Sequence, residues 1–191
     1  MTGQLDFSGV AATDARAARA AIARGENFFG YLPSAGFDFI VRNFRTLAAL
    51  GALEAAWLDA YVHASHFGGV KVDTLRAIFD ACNRDRLLAL KPLGDAITFA
   101  RNGRITLFRG CAGLKHTMGM SWTPSLDKAI WYAAHHAAYY DLTNVAAYAA
   151  TVDIAAIYCR LDHYDDDLII HPTSAWRVDV PNSEFRLDRP R

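Results

Sequence analysis

The sequence predicts an α+β fold, helical in its first half and strand-rich in its second, on three observations. Before residue 100, apolar side chains recur at spacings of three and four, the period of an amphipathic helix. After Asn102-Gly103 the texture changes to short β-branched and aromatic runs. One helix-like segment behind a Thr-Pro pair interrupts those runs. The chain is accordingly divided into a helical region, 1–102, and a second region, 103–191, on change of texture alone, since no repeat, charge block or low-complexity linker marks a junction.

Thr13 is the expected N-cap of a first, Ala/Arg-rich helix that stops near Gly25. A linker with Pro33 and Gly36 follows, and residues 37–63 carry a helical stripe (Phe39, Ile40, Phe44, Leu47, Leu50) interrupted at Gly51. Either two antiparallel helices or one kinked helix satisfies that pattern. Asp73 is placed to cap a further helix through Leu75, Ile78 and Phe79, and another is expected over 93–99. In the second region 105–108, 145–154, 157–161 and 168–170 read as strands. The intervening helix has Thr123 as N-cap, Pro124 at its first position and a face of Leu126, Ile130, Trp131 and Ala134.

The chain of 191 residues is 52% hydrophobic and 21% charged, its 20 basic residues balance its 20 acidic ones, and a globular, water-soluble protein is expected. Zero net charge argues against a non-specific nucleic-acid coat, although Arg101, Arg104, Arg109 and Lys115 crowd into one stretch. Cys82, Cys111 and Cys159 show no CxxC spacing, which fits reduced thiols. The N-terminus lacks the pattern of a secretory signal, and no uncharged apolar run reaches the ~18 residues of a membrane span. A cytoplasmic location is expected, in the producing cell or in a target cell reached by a specialised route, with no membrane partner. The amphipathic helices of the first region are expected to pack on the second.

Three short segments carry chemistry: Phe108-Arg109-Gly110 at a strand end, Gly119-Met120-Ser121-Trp122-Thr123 leading into a helix, and Asp165-Asp166-Asp167-Leu168-Ile169-Ile170 opening a late strand. Each alone has an ordinary explanation: a surface arginine, a helix cap, a solvated acidic turn. In this order they resemble the arginine-serine-glutamate class of ADP-ribosyltransferases, in particular small prokaryotic and phage proteins with a YRG, GxSWT and ExE pattern. Here the segments read LFRG, GMSWT and DDD, and the resemblance covers about residues 103–180. It implies two small, mainly antiparallel sheets forming an NAD cleft, with NAD as substrate and no metal. It also implies that Arg109, Gly110, Ser121, Trp122 and Thr123 bind the dinucleotide. Asp167, Asp165 and Ser121 would be the catalytic set, Asp167 stabilising the developing oxocarbenium charge and Asp165 serving the acceptor. Gly110 and Gly113 would let main chain approach the ligand. Strand alternation at the same time turns the Trp122 ring toward the core and Ser121 toward the site.

The departure from the pattern is aspartate where the family has glutamate; the chain's three glutamates, Glu26, Glu54 and Glu184, lie outside the motif. The shorter side chain leaves three readings open: Asp167 works from a closer backbone, the acceptor differs, or the fold binds a ligand without transferase chemistry. The expected function is mono-ADP-ribosyl transfer from NAD to a macromolecular acceptor, with protein favoured over RNA or DNA, as a phage-borne modifier, toxin or effector. An NAD glycohydrolase and a non-catalytic binding or inhibitor protein on the same fold are the alternatives. His135 and His136, followed by Tyr139 and Tyr140, share a helix but lack the offsets of a zinc site. Cys111 and His116 are further candidates near the Arg-Gly turn.

Overall fold

Among the described residues of the first part of the chain the α-helices are α1 (Ala12–Ala23), α2 (Gly36–Ala49), α3 (Glu54–His63), α4 (Val72–Ala81) and α5 (Arg84–Leu90). The computed structural model describes residues 4–64, 69–113, 119–161 and 167–188. The chain divides into two compact units, Met1–Leu90 and Lys91–Arg191. The first ends before the Asn102-Gly103 pair, because the segment over 91–102 belongs with the strands: Ala96 is buried in their core.

In the first unit, two glycines at positive φ end helices. Gly25 (φ 71°) follows α1, with Glu26 N–H bonded to the Ala21 carbonyl at 2.9 Å and Gly25 N–H to Ile22 at 3.0 Å. Gly51 (φ 66°) closes α2 in the same way through Ala52 to Leu47 and Gly51 to Ala48. These paired bonds are the Schellman pattern, which needs a left-handed residue. The stripe over 37–63 is therefore two helices, broken where Gly51 stands. Their buried faces meet around Trp57, whose ring lies 6.0 Å from Phe37, 5.8 Å from Tyr61 and 5.5 Å from Phe79. The N-terminal segment is sewn to α2 by the buried Asn43 amide, which accepts from Asp6 N–H (2.7 Å) and donates to the Asp6 carbonyl (2.8 Å). Thr13 is not the N-cap of α1; the helix starts at Ala12 behind Ala11, and the threonine hydroxyl bonds Asp14 Oδ1 at 3.2 Å instead. The seven-residue α5 carries too few residues to show a period, and the sequence did not signal it.

The second unit opens with a 3-10 turn, Gly94–Phe99, where a further helix was expected. Asn102 (φ 52°) and Gly103 (φ 74°) then form a tight turn closed by reciprocal Arg101–Arg104 main-chain bonds of 2.8 and 3.0 Å. Strand β1 (Arg104–Cys111) follows, then β2 (Ser121–Trp122), α6 (Leu126–Tyr140), β3 (Ala146–Asp153), β4 (Cys159–Leu161), β5 (Asp167–Ile169) and β6 (Trp176–Val178). They make two antiparallel three-stranded sheets of order β1-β3-β6 and β2-β5-β4. An α+β fold with two small antiparallel sheets agrees with the sequence reading. Helix α6 begins later than the sequence suggested: Ser125 is the N-cap, its Oγ accepting from Lys128 N–H at 3.3 Å, while Thr123 Oγ1 accepts from Ser125 N–H at 3.2 Å. Both sheets supply one core, Ile105, Leu107, Ala150 and Val152 from the first and Trp122 and Leu168 from the second. Strand β6 was not read from sequence; three residues with Trp176 half-exposed (51%) carry no apolar alternation.

Candidate functional site

An isolated β-bridge links the two sheets. Phe108 in β1 and Thr123 just after β2 exchange main-chain bonds of 2.7 and 2.8 Å. Arg109 follows Phe108 directly and is the register partner of Tyr148 in β3. By strand alternation its side chain shares a face with Ile105, Leu107 and Cys111. From there Nη1 donates to the Ser121 carbonyl at 2.8 Å, and the guanidinium lies against Gly119, where a Cβ would collide with it. Arg109 Nε is buried and makes no hydrogen bond. The Trp122 indole is 1% exposed, and its Nε1 donates to the Gly119 carbonyl at 3.0 Å.

Ser121 is in turn the register partner of Ile169, and Trp122 that of Leu168. Alternation then sets Ser121, Ile169 and Asp167 on one face of the β2-β5-β4 sheet and Trp122 and Leu168 on the other. Asp167 is half-buried, pairs with Leu161 across β4, and stands diagonal to Ser121, a spacing of roughly 7–8 Å in an antiparallel sheet. The Arg-Gly strand, the GMSWT segment and the third aspartate thus converge on β2. The arginine does so through main chain of Ser121, and the aspartate through the strand next door.

Other expected site residues have structural duties. Gly110 faces α6: a Cβ there would run into the Ala129 carbonyl oxygen and stand 2.8 Å from Ala133 N. Its lack of a side chain lets helix and strand touch. Gly113, at φ 89°, donates to the Thr143 carbonyl at 2.7 Å and is needed for its backbone angle. Thr123 is buried, with its main chain tied to Phe108 and its hydroxyl to Ser125. Trp122, buried as its strand position requires, presents no open face for stacking on a ligand. Asp165, Asp166, Lys115 and His116 lie outside the described residues.

Burial raises the Cys111 thiol above its ordinary value, opposed by the charge and hydrogen bonding of Arg109. That direction is the opposite of what a reactive thiolate needs. Burial also lowers His136, helped by the positive fields of Arg109 and His135. On α6 the rings of Trp131 and His135 stack at 5.1 Å and those of Tyr132 and His136 at 5.8 Å, so the histidines sit in aromatic ladders. Among the described residues no group of three or more His, Cys, Asp or Glu side chains is arranged to hold a metal ion. None of their helices is long and apolar enough to cross a membrane. Tyr148, beside Arg109, went unnoticed in the sequence because alanine-rich β3 gives no sign of its register.

The first unit has a separate open depression of about 470 Å³ beside Gly51 and Cys82. Its buried Glu54 accepts from Asn83 N–H at 2.8 Å and lies 3.8 Å from Arg86, which donates to the Gly51 carbonyl at 2.9 Å. These polar groups satisfy one another and fasten helix ends. Comparison with family models, with curated proteins and with solved structures finds no match for this chain.

Proposed function

We propose that this protein transfers ADP-ribose from NAD to a macromolecular acceptor. The observation that carries the reading is the 2.8 Å bond from Arg109 Nη1 to the Ser121 carbonyl, with Gly119 against the same guanidinium and Asp167 on the strand paired to Ser121. Residues from three segments separated in sequence, Arg109, Ser121 and Asp167, lie on neighbouring strands, and this supports the reading. In this reading Arg109 grips the pyrophosphate, for which a planar guanidinium with several donors is suited. Asp167 lies beside the nicotinamide ribose. The bond from C1′ to nicotinamide breaks with its electron pair leaving on nicotinamide, and the carboxylate stabilises the positive charge that develops on the ribose. The acceptor's lone pair then forms the new bond to C1′ and the acceptor releases its proton, with protein favoured over RNA or DNA as acceptor. Ser121 orients the ribose and the carboxylate.

The experiment is incubation of the full chain, and of Asp167→Ala, with adenine-labelled NAD and a bacterial lysate. Protein, nucleic acid and free ADP-ribose are counted separately. The expected result is label on one macromolecular fraction that falls by at least about a hundredfold in the variant. Label in free ADP-ribose alone makes the acceptor water and the protein a glycohydrolase. Equal silence of both chains in every fraction removes the catalytic reading and leaves that of a binding protein.

A further inference from the structure

Gly119 is constrained by space and not by backbone angle, since its φ is outside the left-handed region. A Cβ at this position would fall inside the Arg109 guanidinium, against Cζ and both terminal nitrogens. The Gly119 carbonyl accepts from the indole N–H of Trp122 at 3.0 Å, and that indole is anchored in the core shared by the two sheets. The guanidinium closes the circuit through Nη1 to the Ser121 carbonyl at 2.8 Å. An arginine side chain is long and rich in rotamers, and one already immobilised loses less freedom when a ligand arrives.

We propose that Gly119 and Trp122 are positioning residues for Arg109, a clamp that presets its guanidinium for the phosphates of the dinucleotide. The proposal rests on the NAD reading above. Trp122 never touches the ligand; it fixes the Gly119 carbonyl, which fixes the surface on which the guanidinium lies. Any side chain at position 119 would have to displace the guanidinium from this place. The segment GMSWT thus acts through its first and fourth residues on an arginine in another strand.

The test compares the full chain with Gly119→Ala and Trp122→Phe; the second keeps an aromatic ring in the core while deleting the N–H, so it serves even where the first fails to fold. Three readouts are taken: the Kd for NAD by calorimetry, KM and kcat for nicotinamide release, and solvent exchange of the Arg109 Nε–H by nitrogen-15 NMR. That resonance is assigned by its loss in Arg109→Lys. Because Nε is buried in the intact protein, its proton exchanges slowly. The clamp predicts faster exchange in both variants, NAD binding weakened about tenfold, and a rise in KM that exceeds any fall in kcat. A purely structural role for Trp122 lowers Tm and leaves exchange, Kd and KM as in wild type, which overturns the proposal. If exchange accelerates in the variants but wild type binds no NAD, the clamp on Arg109 stands and the NAD reading falls.

Discussion

Gly110 and Gly119 stand at two sides of one arginine, and neither is a glycine for the sake of φ. At Gly110 the obstacle to a side chain is main chain: the Ala129 carbonyl carbon would be 2.7 Å from a Cβ and Ala133 N 2.8 Å. Main chain of a helix cannot swing aside as a flexible side chain does, so Gly110→Ala has to lift α6 from β1 or bend the strand. Overpacking of this kind costs about 1–3 kcal/mol, and chemical denaturation of the variant is expected to show a loss of that size. Gly113 offers a contrast: among the described residues a Cβ there would meet only ordinary contact with Leu142, 3.6 Å away, and the cost of alanine is the left-handed backbone, about 1–2 kcal/mol. A Gly110→Ala protein within about 0.5 kcal/mol of wild type shows that the helix rides easily, and contradicts the packing argument.

Among the elements, those with a long period were legible in the sequence. Helices α2 and α4 declared themselves through Leu47 and Phe79 and their neighbours, and Asn102-Gly103 marked the change from helical to strand texture, where the two residues adopt positive φ in a tight turn. Short elements were not legible: α5 has seven residues and β6 three, less than two helical turns and less than two strand repeats. Within the site, the segments were legible but their duties were not. Strand pairing decides that Gly110 meets α6, that Arg109 sits beside Tyr148 and that the Arg109 bond goes to main chain of Ser121, and no local pattern encodes pairing. The start of α6 was misread because two hydroxyl residues flank Pro124, and a threonine before a proline satisfies the capping rule as well as the serine after it. Ser125 is the one whose oxygen meets Lys128 N–H, while Thr123 is held by Phe108 and Ser125. Ser125→Ala is therefore expected to cost about 1 kcal/mol of stability through the lost cap, measured as a lower denaturation midpoint with unchanged slope. An unchanged midpoint with Ser125→Ala places the functional cap elsewhere.

For the molecule as a whole, the three cysteines divide between the two units and make them separately observable. Cys82 is half-buried in the first unit, its thiol donating to the Ile78 carbonyl at 3.3 Å; Cys111 and Cys159 are buried in the second. Native protein treated with a thiol reagent is expected to label Cys82 first, while Cys111 and Cys159 react only as the second unit opens. Burial pushes the Cys159 thiol from 9.0 up to about 12, with Lys91 opposing weakly. Between those values the unfolded chain has lost a proton that the folded chain still holds, so stability falls as pH rises. The slope for one such group is about 1.4 kcal/mol per pH unit, and below 9.0 the full contribution is present. Lysines and tyrosines also titrate in that window, so the difference between wild type and Cys159→Ala is the quantity to read. The variant is expected to be less stable at neutral pH, from the lost sulfur in a packed site, but to decline less steeply above pH 9.0. Parallel alkaline profiles for the two proteins, or prompt labelling of all three thiols at neutral pH, mean that solvent reaches Cys159 in the folded state and that the sheet around β4 is looser than its packing indicates.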